Sequence, residues 1–339
     1  MASKSKAARA KQSKAESKIN FYLIAIPVLA FVIKLITMAN IKNADGGFLG
    51  GWLGADGENY LSGVDGLLAQ GYLSDKSILS YWPAGYPILI WLLTKISLTY
   101  VIALISFTQT IFYAYASYYF VKQLRGTRLQ PYMFWIAIAI AFNPTLSLSS
   151  LAVGYESPIA ACMLMVVGLI MKSVQSPHDR GFISRVVAAG FFSALATLMQ
   201  PRWILTTLVI ALIWALITKG RKAQALILVS VVGIMALAPA IMIDRNVRSI
   251  DKAVISTNLG VTMNIGAGPD TKGGYAKTGE SVPCEPVPPA TAVHPHHLGR
   301  RLCDPAGGAR ARHRLRRRPR ACPPLQRGRP ASADAGSAL

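Results

Sequence analysis

The chain has 339 residues, 52% of them hydrophobic and only 15% charged, with a mean hydropathy of +0.38. That balance excludes an ordinary soluble domain and points to a polytopic membrane protein. The formal net charge of +21 is divided among the N-terminus, short loops and a C-terminal tail, so it is not the single basic patch that would make nucleic acid a partner.

The first eighteen residues, MASKSKAARAKQSKAESK, form a Lys-rich arm. The apolar run behind it, Ile19 to Met38, has no small-residue cleavage site after it and is long enough to cross ~30 Å of hydrocarbon. We therefore read 1–18 as a cytoplasmic basic arm and the run as a retained first transmembrane helix. Lys34 lies near one end of that helix, where it can snorkel to the interface. Residues 39–87 form a polar loop with five acids, Asp45, Asp56, Glu58, Asp65 and Asp75. The apolar segment Pro87 to Ile96 predicts a short helix lying at the interface. Further apolar runs at 100–121, 131–149, 156–172, 186–199, 203–218 and 225–243 bring the spans to about seven. The expected fold class is an all-α integral membrane protein, a polytopic helical bundle over 19–243 followed by an extracytoplasmic segment, 244–282.

Charge orients the bundle. With the N-terminus in the cytoplasm, alternate pieces on that side hold fifteen Lys and Arg up to Met242, against four (Lys42, Lys76, Lys95 and Arg202) on the other. The positive-inside rule then places loop 39–87 outside a cell membrane, with the junctions near 150–156 and 200–203 and everything after Asp244. Beside the loop acids, that face collects Glu156 from "AVGYESPIAA", Arg202 from "LMQPRW", and Arg245 and Arg248 from "IDRNVRS". A carboxylate beside an arginine suits deprotonation of a hydroxyl while a neighbouring phosphate leaves, since the planar guanidinium fork binds phosphate through paired charged hydrogen bonds. Plainer roles exist for each residue. Loop acids such as Asp45, Asp65 and Asp75 are solvated in most proteins, Arg202 and Arg245 can anchor helix ends at headgroups, and Glu156 can complement a helix dipole.

The order of these phrases resembles the GT-C glycosyltransferases, and within them the bacterial protein-mannosyltransferase-like branch (glycosyltransferase family 39). Asp56, Tyr60, "LLAQGYL" and "WPAGYP" are similar to that family's first outer loop. "YESP" matches the acid that opens a later helix, "QPRW" resembles its "TRP" phrase, and "RNVRSIDKAVISTNLGVTMNIGAGPDTKGGY" resembles a strand-like outer segment. The likeness covers residues 19 to 282. It implies transfer of a sugar, mannose-like, from a polyprenyl-phosphate donor to an extracytoplasmic protein, lipid or glycan acceptor. Asp56 would be the catalytic base and Glu58 a second candidate, because "DGE" separates the two acids. Tyr60, Glu156, and Arg202 or Arg245 would bind substrate, the arginine holding the phosphate. No cofactor is implied beyond the lipid-linked donor, and no metal site is read from the sequence.

No Walker A phrase, H-E-x-x-H, G-x-S-x-G or dinucleotide fingerprint occurs. A transporter or flippase is the rival class, in which polar residues would line a path through the bundle; a non-catalytic scaffold is third. From Pro283 the composition changes: residues 283–339 lack Lys, Ile, Met, Phe, Tyr, Trp and Asn but hold eleven Arg and four of the five His. A disordered basic arm is one reading of this tail. The reading we favour is a shifted frame of a GC-rich gene starting near codons 282–292, which would leave a truncated enzyme.

Overall fold

The computed structural model describes residues 2–42, 50–54, 56–176 and 179–258, with side chains described from Phe21 onward. All belong to one compact unit, Met1–Ala267. Among the described residues the elements are α1 (Ala2–Asn40), α2 (Gly57–Gln70), α3 (Ile78–Tyr81), α4 (Gly85–Thr94), α5 (Val101–Lys122), α6 (Met133–Ala141), α7 (Glu156–Gln175), α8 (Phe182–Met199), α9 (Trp203–Ile217) and α10 (Arg221–Ile250), with 3-10 turns at Gln130–Tyr132 and Leu148–Leu151. No β-sheet occurs among them; one isolated parallel bridge joins Trp52 to Ala152.

Five helices are long and apolar enough to cross a membrane: Phe21–Asn40 within α1, then α5, α7, α8 and α10. The burial pattern agrees with a lipid surround. On α5 the polar and small residues Ser106, Gln109, Thr110, Tyr113, Ala116 and Ser117 are buried, while Phe107, Ile111 and Tyr115 face outward. Small and hydroxyl-bearing faces turned inward are how helices associate where the surrounding solvent is itself apolar. The chain is thus an α-helical, multi-pass membrane protein.

Three expectations change. The predicted span 131–149 ends early, at Ala141, because Pro144 has no N–H to give and restricts the residue before it. The Asn143 side chain closes the turn instead, accepting from the N–H groups of Thr145 (3.0 Å) and Leu146 (2.7 Å). Lys34 does not snorkel: it is 4% exposed, its ammonium 4.9 Å from the Tyr113 ring centroid. A ring face replaces part of the hydration that the buried charge gives up. Finally, α10 runs on to Ile250, so Asp244, Arg245 and Arg248 are helical and 245–258 contains no strand. The rest of the expected strand-like segment, and the tail, lie outside the described residues.

Within the loop, the described stretch 57–87 is largely helical. Tyr60, Val64 and Leu67 are buried at the i, i+4, i+7 spacing of a helix face, and they seat α2 on the bundle. Tyr60 and Val64 join Tyr86 and Ile90 of α4, Ile105 of α5, Ile159 and Cys162 of α7, and Met199 of α8 in one core cluster. That core is the floor on which the polar residues stand.

Candidate active site

Two short segments carry the acids. The Trp52 N–H donates to the Leu151 carbonyl (3.0 Å) and the Val153 N–H to the Trp52 carbonyl (2.7 Å), so the chain before α2 runs parallel to the chain before α7. Asp56 follows Trp52 by four residues and Glu156 follows Ala152 by four. Asp56 is the N-cap of α2 and Glu156 the first residue of α7, positions where the helix dipole favours negative charge. The Glu156 carboxylate folds back over Gly154, and a Cβ at 154 would collide with its Oε2.

Between the acids stands a group of tyrosines. The Tyr60 ring meets Tyr86 edge-on with centroids 5.0 Å apart and Tyr155 at 5.9 Å, and Tyr86 meets Tyr155 at 6.4 Å. The Tyr86 hydroxyl accepts the Gly154 N–H (2.8 Å) and pairs with the Gln109 amide, which ties α4 and α5 to the turn before Glu156. Tyr60 is 2% exposed, yet its hydroxyl faces Tyr155 without the geometry of a full hydrogen bond and has no other partner among the described residues. Burial raises its pKa above the ordinary tyrosine value, and Tyr155, Asp56 and Glu156 raise it further. Burial also raises that of Tyr155, with Glu156 and Asp56 adding to the effect while Tyr60 and Arg202 oppose it. Asp56, Glu156 and Arg202 therefore share one electrostatic neighbourhood around Tyr155.

Arg202 is the N-cap of α9 and exposed; just before it, the Gln200 amide donates to the Tyr155 hydroxyl (3.3 Å). Tyr155, Glu156, Gln200 and Arg202 together form the polar end of a cleft of about 870 Å³. The remainder is almost wholly apolar. It follows one face of α7 through Ile159, Met163 and Val167, with Ile140 of α6 and Trp203 of α9 among the opposing walls. A charged mouth on a long greasy trough suits an amphiphile with an anionic head.

Of the residues singled out from sequence, Asp56, Tyr60, Glu156 and Arg202 come together. Glu58 is exposed on the first turn of α2 and is not among the groups that act on Tyr60 or Tyr155. Arg245 is elsewhere: it is 1% exposed and its guanidinium donates to the carbonyls of Tyr72, Ser74 and Leu79 and to the Asn246 side chain. Those bonds occupy the fork that a phosphate would need. Sequence reasoning missed Tyr155, Gln109 and Gln200, although a glutamine inside an apolar span such as Gln109 is a signal by itself. Among the described residues no group of three or more His, Cys, Asp or Glu is placed to hold a metal ion. The chain matches no protein-family model, no curated protein and no solved structure.

Proposed function

We propose that the chain is a membrane glycosyltransferase of the GT-C kind, moving a mannose-like sugar from a polyprenyl-phosphate donor to an acceptor hydroxyl outside the cytoplasm. In this reading α6 and α9 complete about seven spans, the N-terminus is cytoplasmic and the acids face outward across a cell membrane. The observation that carries it is the cleft: an apolar trough between helices that ends at Glu156 and Arg202, with Asp56 acting on the same Tyr155 that lines the mouth. The polyprenyl chain lies along α7, and Arg202 holds the phosphate at the mouth. The acceptor oxygen attacks the anomeric carbon as its proton passes to Asp56. The bond from that carbon to the phosphate oxygen breaks, its electron pair leaves with the lipid phosphate, and the guanidinium stabilises the charge that develops there. Glu156 and the unpartnered Tyr60 hydroxyl bind sugar hydroxyls, for which a buried polar atom in want of a partner is suited. Arg245 takes no part in the chemistry.

One observation favours the rival transporter. Lys34 places an ammonium inside the bundle, with no ion pair among the described residues, as a polar path through the membrane would require. The cleft that Tyr113 also lines is mostly apolar beyond its charged mouth, which suits a held lipid chain rather than a travelling polar solute. Proteoliposomes of the full chain supplied with polyprenyl-phosphate mannose separate the two. Transfer of sugar with release of lipid phosphate, reduced by about 10²- to 10⁴-fold in Asp56→Asn, supports the transferase. Movement of intact donor between leaflets without transfer supports the transporter.

A further inference from the structure

A second cavity, of about 470 Å³, lies at the end of the bundle away from the acids. The separation is set by α7. Glu156 is its first residue, and the side-chain amide of Gln175, its last, donates to the Gln123 carbonyl (2.6 Å) just beyond α5. The turn that follows α5 is therefore about 28 Å from Glu156, the length of α7 at 1.5 Å per residue. Tyr22 of α1 and Phe134 of α6 form part of the cavity wall, their rings edge-on with centroids 5.4 Å apart, and Met133 adds a further apolar group. Thr127, Arg128 and Gln130, from the turn between α5 and α6, supply the polar part.

The bonds of that turn leave the cavity with donors. Gln130 Oε1 accepts the Gly126 N–H (2.8 Å), so the NH2 group is the end of its amide without a partner among the described residues. The Arg128 guanidinium and the Tyr22 hydroxyl have neither a hydrogen bond nor an ion pair among the described residues. No acid lines the cavity, and Asp179, four residues beyond α7 at the same end, is held by Arg185 (2.7 Å). A guanidinium, an amide NH2 and a phenol beside apolar side chains suit an anion that carries an apolar body. The surroundings indicate which anion. Tyr132 and Trp135, next to the cavity, are exposed on the outside of the bundle, and such residues collect at the level of lipid headgroups. Six Lys and Arg in the eighteen residues before the first span add positive charge to this end, a pattern that draws anionic lipid.

We infer that this cavity binds the headgroup of an anionic phospholipid from the leaflet at that end, with Arg128 on the phosphate and Tyr22 and Gln130 donating to its oxygens. The acyl chains then leave past Met133 and Phe134 into the membrane. Because Tyr22 belongs to α1 and the other donors to the α5–α6 turn, one bound lipid joins the start of the first span to the rest of the bundle. The inference is independent of the transferase reading and holds equally for a transporter.

The test is native mass spectrometry of the purified full chain with phosphatidylglycerol and, separately, phosphatidylcholine. Phosphatidylglycerol is expected to bind about tenfold more tightly than the zwitterionic lipid. Arg128→Gln, at an exposed position where folding is not at stake, should lower its affinity about tenfold, and Tyr22→Phe several-fold. Two controls should leave it unchanged: Met163→Trp, which fills the cleft along α7, and Lys222→Gln, which removes an exposed charge at the start of α10. Equal binding of the two lipids overturns the inference, as does indifference to Arg128→Gln. A loss in Lys222→Gln as large as that in Arg128→Gln would mean diffuse surface charge and overturns it too. Millimolar inorganic phosphate should fail to displace the lipid; displacement would make the cavity a site for free phosphate instead. In nanodiscs, phosphatidylglycerol should raise the unfolding temperature of the parent above that in phosphatidylcholine, and Arg128→Gln should abolish the difference. A difference that survives in Arg128→Gln counts against the site.

Discussion

The Glu156 carboxylate folds back into space that the glycine at 154 leaves open. Gly154→Ala forces Oε2 away, and the expected result is a loss of sugar transfer close to that of Glu156→Gln, with membrane insertion and thermal unfolding unchanged. Normal transfer in Gly154→Ala would show that the carboxylate has no fixed post. Tyr60→Phe should act in the opposite sense on the fold. It removes a buried hydroxyl that lacks a good partner, so stability should hold or rise by up to about 1 kcal/mol while donor affinity falls. The raised pKa of Tyr60 has a sign that can be checked. The folded state favours the protonated hydroxyl, so its contribution to stability is intact below the ordinary tyrosine pKa of about 10 and fades as pH climbs beyond it. Titration of tyrosinate absorbance up to about pH 11 should then give the same curve for Tyr60→Phe as for the parent. Asp56 and Glu156 were legible in the sequence because isolated acids next to apolar runs need a reason. Their pairing was not, since it depends on the Trp52 to Ala152 bridge, a contact across a hundred residues with no local signature.

Among the elements, α10 holds a loop with the arginine that sequence reasoning offered as a phosphate clamp. Arg245 draws three carbonyls of the 72–79 segment onto the helix, and Asn246 donates to the carbonyls of Val254 (2.8 Å) and Ile255 (3.3 Å). Ser256 and Thr257 then bond to the carbonyls of Tyr81 and Ser80. One turn of α10 thus joins the end of the acidic loop to the chain that follows the helix. Arg245→Met strands several buried acceptors and should destabilise the fold by about 3 kcal/mol and open residues 72–82 to protease. Arg245→Lys should not restore protection, because a single ammonium cannot reach three carbonyls set out for a fork. An arginine near a helix end looks the same in sequence whether it will hold an anion or a loop. By contrast, α2 could have been read from Tyr60, Val64 and Leu67, whose spacing is helical; the polar residues between them made it look like a loop. Asn143–Pro144 likewise carried its own warning against a continuous span over 131–149.

For the whole molecule, hydropathy gave the class, and the five long apolar helices agree with it. The number of crossings depends on α6 and α9, whose nine and fifteen residues fall short of the roughly twenty that a full span requires. Charge asymmetry predicts the orientation, and it can be tested: reporter fusions at Arg125 and Lys222 should register cytoplasm, and one at Asp65 the opposite side. The reverse pattern would turn the acid-bearing end inward and remove the proposed donor from reach. The central claim is that the cleft along α7 receives a lipid whose phosphate meets Arg202. Native mass spectrometry of the purified full chain with a polyprenyl phosphate tests this most directly. The account predicts one lipid bound per chain, with affinity lowered about tenfold or more by Met163→Trp in the trough and by Arg202→Ala at the mouth. Absence of binding, or binding that ignores both substitutions, would contradict it.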